Sequence, residues 1–112
     1  MDPLAAPALE AAMQKMWTKF LPLMEERLAI LEEAAAALSA ASLTREQRLA
    51  ASSAAHKLAG VLGSFGLAQG TELAREAEIF YSREEALAPA AAQIAAMTAE
   101  LRAMIEKKKQ LA

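Results

Sequence analysis

The sequence predicts an all-α protein, an antiparallel up-down four-helix bundle with a short additional N-terminal helix. Its 112 residues are 55% hydrophobic but only 4% aromatic, and they include four glycines and four prolines. This alanine-rich composition favours helix. Apolar residues recur at helical spacing in successive segments, and no strand-like alternation of β-branched residues appears. The connections between these segments are short, which makes consecutive helices antiparallel neighbours.

The N-terminal part predicts two helices separated near Pro22. The first is a short amphipathic helix over residues 8–19, because its apolar residues recur at helical spacing. These residues are Leu9, Met13, Met16, Trp17 and Phe20. Pro22 then begins or kinks a second helix that runs to about Leu38, and residues 39–43 connect it to the next one. Its expected core residues are Leu23, Leu28, Ile30, Leu31 and Ala35.

The next helix begins at a capping box. Thr44 is the predicted N-cap and Gln47 the residue three positions later, which is the spacing at which each side chain can bond the other's backbone N–H. The apolar stripe that follows faces the core and comprises Ala51, Ala54, Leu58, Val61, Leu62 and Phe65. Gly63 and Gly66 loosen the end of this helix.

Two further helices complete the predicted bundle. Leu67 opens a helix that continues to about Tyr81. Residues 82–85 match a second capping box, although Pro89 favours a start of the last helix near Ala88. That helix ends at about Gln110, and its buried stripe is Ile94, Met97, Leu101, Met104 and Ile105.

Charge and composition exclude several classes of function. The net charge is −2, so the overall balance does not attract nucleic acid or an anionic membrane surface. There is no cysteine, and no apolar stretch approaches the ~18 residues that a membrane span requires. The start of the chain lacks the basic region of a secretory signal. We therefore expect one monomeric, cytoplasmic domain over residues 1–112, with no cofactor and no metal.

The one histidine of the chain, His56, lies among small residues at helical spacing. The positions that share its helix face are Ser52, Ser53, Ala59, Gly60 and Gly63. Each glycine costs about 1 kcal/mol relative to alanine inside a helix, so two beside one histidine need a reason beyond helix formation. We expect an exposed imidazole on a surface that a second molecule approaches closely.

The run His56-Lys57-Leu58-Ala59-Gly60, followed by Gly63 and Gly66, resembles the signature of histidine-containing phosphotransfer (Hpt) domains. It is similar to the phosphotransfer domains of hybrid sensor kinases and chemotaxis-type kinases. The specific similarity covers residues 54–78, and elsewhere it rests on the helix pattern. One position departs from the family: Ala59 stands where a lysine is usual.

The resemblance implies roles for particular residues. His56 would be the phosphoacceptor, and Glu78 would orient its imidazole from the adjacent helix, the alternative being a surface carboxylate that pairs with Arg75. Without the usual lysine, compensating charge would come from Lys57, Arg75 or the partner. The expected phosphate-binding and docking surface comprises Ser52, Ser53, Lys57, Ala59, Gly60, Gly63 and Arg75.

The function implied is that of a phosphorelay carrier without kinase or phosphatase activity of its own. Its partners would be a histidine kinase and a response-regulator receiver domain. The absence of lysine at position 59 keeps an alternative open, a degenerate helical interaction module that docks receivers without transferring phosphate. A third possibility is a kinase-attached domain that is phosphorylated within its own assembly.

Overall fold

The computed structural model describes residues 5–83 and 87–111, and within these ranges it is helical with no strand. The helices are α1 (Ala5–Ser39), α2 (Arg45–Leu62), α3 (Ala68–Tyr81) and α4 (Ala91–Leu111), with short 3₁₀ turns at Gly63–Phe65 and Ala88–Ala90. The predicted all-α four-helix class is confirmed. The second predicted capping box includes Glu84 and Glu85, which lie outside the described residues.

Pairs of residues across the helices establish the antiparallel order. Along α1, Glu25 contacts Lys109 and Glu32 contacts Arg102, so α4 runs in the opposite direction. The Arg102 guanidinium donates to both Glu32 carboxylate oxygens, at 2.6 and 3.1 Å, and these bonds raise its pKa. Helix α2 packs between α1 and α3, and α3 also contacts α4. The result is the predicted up-down bundle.

The core consists of apolar, mostly aliphatic side chains from all four helices. The largest fully buried side chains are Met24, Leu28, Leu31, Leu58, Leu62, Tyr81, Ile94, Leu101 and Ile105. The hydroxyl of Tyr81 is buried without a hydrogen-bond partner among the described residues. Burial raises the pKa of Tyr81 to about 12, because the phenolate would lose its hydration.

The N-terminal part differs from the prediction, because α1 is one continuous helix of 35 residues with Pro22 inside it. The prediction of a separate short helix was therefore wrong. Proline removes one backbone hydrogen bond from a helix, but tertiary packing holds this helix on both sides of it. Trp17 packs edge-on against Phe65 before the proline, and Met24 is fully buried after it.

The length of α1 and the direction of its side chains explain which of its apolar residues are exposed. Its 35 residues span about 52 Å, whereas α2 and α4 have 18 and 21 residues. The N-terminal turns of α1 therefore extend beyond the neighbouring helices. Leu9 and Met16 are 61% and 48% exposed, and Leu23, expected in the core, is 42% exposed because Met24 faces the bundle instead.

Both ends of α2 are fixed by local interactions. The Thr44 hydroxyl accepts from the Gln47 N–H at 3.1 Å, and Gln47 Oε1 accepts from the Thr44 N–H at 2.9 Å, so the predicted capping box is confirmed. After the 3₁₀ turn, Gly66 has φ +76°, a left-handed conformation that glycine adopts without steric cost. The capping box thus fixes the start of α2, and the turn at Gly66 leads the chain from α2 into α3.

Candidate functional site

His56 lies in the second half of α2 and points to solvent. Its side chain is 74% exposed. Two residues further along, Leu58 is completely buried, so the two side chains lie on opposite faces of the helix. The exposure predicted from the sequence is confirmed.

Glu78 on α3 holds one nitrogen of this imidazole. Its Oε2 lies 2.8 Å from His56 Nδ1. A carboxylate can only accept hydrogen bonds, so the proton of this bond belongs to Nδ1. The lone pair of a neutral imidazole then resides on Nε2. The alternative pairing of Glu78 with Arg75 does not occur among the described ion pairs.

The two helices form a shallow depression of about 300 Å³ beside the imidazole. Its lining residues are His56, Ala59, Gly60, Arg75, Glu78 and Ile79. The structure thus brings together residues that are far apart in sequence and carry one imidazole, one carboxylate and one guanidinium. In the depression these three groups are supplied by His56, Glu78 and Arg75.

Ala59 corrects one part of the predicted docking surface. We expected it to share the exposed face of His56, but it is only 7% exposed. The reason is the close approach of α3: the Thr71 hydroxyl donates to the Ala59 carbonyl at 3.3 Å. Ala59 therefore forms part of the wall of the depression and offers little surface to a partner.

The remaining predicted residues lie outside the depression, on α2 and, for Gly63, in the 3₁₀ turn that follows it. Ser53, Lys57 and Gly63 are exposed, and Ser52 is half-buried. Gly63 faces α3, where an added Cβ would lie 3.2 Å from the Thr71 hydroxyl. These residues border the site without lining the space next to the imidazole.

Two exposed apolar residues near His56 were missed. Leu49 and Ile79 are 48% and 57% exposed. Leu49 precedes His56 by seven residues, which is two helical turns and the same face, so helical spacing could have revealed it. Ile79 lies next to Glu78, and its position emerges only when α3 is packed against α2.

Residues 5–83 and 87–111 contain no cluster of three or more side chains suited to hold a metal ion. In the same part of the chain, no helix is both long enough and apolar enough to cross a bilayer.

Comparison with known proteins identifies the family. The family model described as Hpt domain matches residues 15–110. Protein RcaC of Microchaete diplosiphon is 35% identical over 79 residues, which cover 70% of this chain and 12% of that relative. No solved structure matches significantly. Hpt domains are phosphocarriers of phosphorelays and interact with receiver domains and histidine kinases. Because the family model covers most of its length, this chain belongs to the Hpt domain family.

Proposed function

We propose that His56 is the phosphoacceptor of a phosphorelay carrier, receiving a phosphoryl group from a kinase or a receiver aspartate and passing it to a receiver. The observation that carries this proposal is the exposed imidazole whose Nδ1 bonds Glu78 at 2.8 Å. That bond leaves Nε2 as the nucleophile and points it to solvent, where a second protein can reach it.

The transfer from a receiver can be written for these atoms. The Nε2 lone pair attacks the phosphorus of the aspartyl phosphate, and the N–P bond forms as the O–P bond breaks. The bonding electrons of the O–P bond return to the receiver's aspartate as carboxylate. The product imidazole keeps its Nδ1 proton, and the Glu78 carboxylate neutralises the positive charge that develops on the ring. Transfer to the next receiver is the reverse of this step.

The chain supplies positioning, and the partner supplies the remaining groups. Phosphoryl transfer depends mainly on alignment and on neutralisation of charge, which a docked partner with its own metal ion can provide. For this reason we assign the chain no kinase or phosphatase activity of its own.

The surface around His56 suits close docking of a receiver. Gly60 is exposed, and an added Cβ there would meet no atom within 4 Å, so the backbone itself is open to a partner. Two exposed apolar side chains add to this surface: Leu49, two turns before His56 on the same face of α2, and Ile79, which lines the depression from α3. A small-residue surface flanked by apolar side chains allows contact without displacing the imidazole.

Labelling tests the phosphoacceptor. The protein is incubated with a phosphorylated receiver or a cognate kinase, and His56→Gln is compared with the wild type. We expect label on the wild type only, and this label should be lost in acid and retained in base, as phosphohistidine is. Equal labelling of both proteins, or an acid-stable label on Ser52, Ser53 or Ser64, would contradict the assignment. A wild type that binds receivers but takes no label would identify the degenerate docking module.

The role of Glu78 has its own test, because a single histidine gives a single set of imidazole signals in ¹⁵N NMR. In the wild type we expect the neutral ring to be protonated on Nδ1. Glu78→Ala should move the proton toward Nε2, whereas Glu78→Gln retains an acceptor oxygen and should keep it on Nδ1. Glu76→Ala is the matched control, since Glu76 is an exposed carboxylate on the same helix and, among the described residues, it is Glu78 that bonds His56. An unchanged tautomer in Glu78→Ala would refute the orienting role.

A further inference from the structure

We infer that Arg75 binds the phosphoryl group carried by His56 and supplies, from α3, the cation that position 59 on α2 lacks. This inference rests on the proposed function of His56. Arg75 is exposed and lines the same depression as the imidazole. No carboxylate within the described residues forms an ion pair with it, so its guanidinium is available to a ligand.

The register of the two helices places Arg75 opposite Ala59. His56 lies across from Glu78, and Gly63 lies across from Thr71. The helices are antiparallel, so three residues forward from His56 corresponds to three residues back from Glu78. These steps lead to Ala59 and Arg75, which both line the depression.

The charge of the depression favours this role. A phosphoryl group attached to a side chain carries between one and two negative charges near neutral pH. At Nε2 it would lie near the carboxylate of Glu78, which repels it. Arg75 is the cation among the described residues that line this space. A guanidinium donates to two phosphoryl oxygens at once, so it can both neutralise and orient the group.

Small residues make room for the guanidinium. The Ala59 side chain ends in the wall of the depression, and Gly60 adds no side-chain atom beside it. Lys57 is adjacent to His56 in sequence but lies 100° around the helix and does not line the depression. Binding is non-covalent, and Arg75 keeps its charge before and after transfer.

The pKa for the second ionisation of the phosphoryl group reports whether a cation lies beside it, and ³¹P NMR measures this pKa. His56 is phosphorylated chemically with phosphoramidate, which needs no relay partner, and the phosphorus shift is titrated against pH. A nearby cation stabilises the dianion and lowers this pKa. We expect Arg75→Gln to raise the phosphoryl pKa by about half a unit or more, because one charge at about 5 Å shifts a pKa by roughly that much even in the dielectric of bulk water. Arg75→Lys, which keeps the charge, should retain part of the lowering.

The matched control is Lys57→Gln, which removes one exposed cation next to His56 and should change the phosphoryl pKa less than half as much. Equal shifts in Arg75→Gln and Lys57→Gln would overturn the inference, as would identical values for Arg75→Lys and Arg75→Gln. Because the donor is a small molecule, such a result would refute the role of Arg75 alone. Failure of the labelling by kinase or receiver would instead refute the proposed function.

Discussion

Replacing Leu58 with alanine removes three side-chain carbon atoms from a position that is 0% exposed. Truncation of a buried leucine costs the lost transfer free energy plus the cavity that remains, about 3 kcal/mol in a packed helical core. For a domain of 112 residues, each kcal/mol lowers the melting temperature by about 4 °C, so we expect a decrease of about 12 °C. His56→Ala, two residues away, removes a side chain that is 74% exposed and should change stability by less than about 0.5 kcal/mol.

Urea unfolding followed by circular dichroism and by tryptophan fluorescence measures both variants. Trp17 is the one tryptophan of the chain and is 2% exposed, so its emission reports the packing of α1 on the bundle. Coincident transitions from the two probes would justify the two-state free energies. A loss in His56→Ala as large as that in Leu58→Ala would mean that the histidine is part of the core, and the account of the site would fail.

Three other predictions concern the backbone and one buried hydroxyl. Pro22→Ala should stabilise the protein by about 2 kcal/mol in urea unfolding, because α1 is continuous there and alanine restores a helical hydrogen bond. The greater conformational freedom of the unfolded chain without proline offsets part of this gain. Gly60→Ala should raise the melting temperature, whereas Gly66→Ala should lower it by about 4 °C, because Gly66, unlike Gly60, has a positive φ, of 76°. Absorbance at the tyrosinate band should titrate near the pKa of about 12 of Tyr81, the one tyrosine. Since this pKa is above the unfolded value, folding should lose stability as pH rises above 10, where the unfolded chain ionises, until the folded phenol ionises near pH 12. Tyr81→Phe should remove that loss.

Local signals predicted the elements of this fold well. The Thr44 capping box is a backbone and side-chain interaction within four residues, so its sequence pattern specified the start of α2 directly. Pro22 shows the opposite case. Proline disfavours a helix interior, but packing on both sides of it decides that α1 continues, and this packing is not visible in the local pattern.

The sequence predicted those features of the site that depend on the periodicity of a single helix or on the residue spacing shared with the family. His56 is exposed on α2, and Glu78 faces it, as the resemblance implied. The burial of Ala59 depends on how closely α3 approaches, which helical periodicity alone does not give. Arg75 was one of three expected sources of compensating charge, but its position across from Ala59 follows only from the register between α2 and α3.

Phosphoryl release from the loaded protein tests the carrier function most directly. Protein labelled on His56 is separated from its donor and mixed with an unphosphorylated receiver and Mg²⁺, and the phosphate on each protein is followed with time. We predict that the label leaves His56 and appears on the receiver. Inorganic phosphate should form only as the aspartyl phosphate of the receiver is hydrolysed. Label that remains on His56, or is released as phosphate without passing through the receiver, would contradict the account.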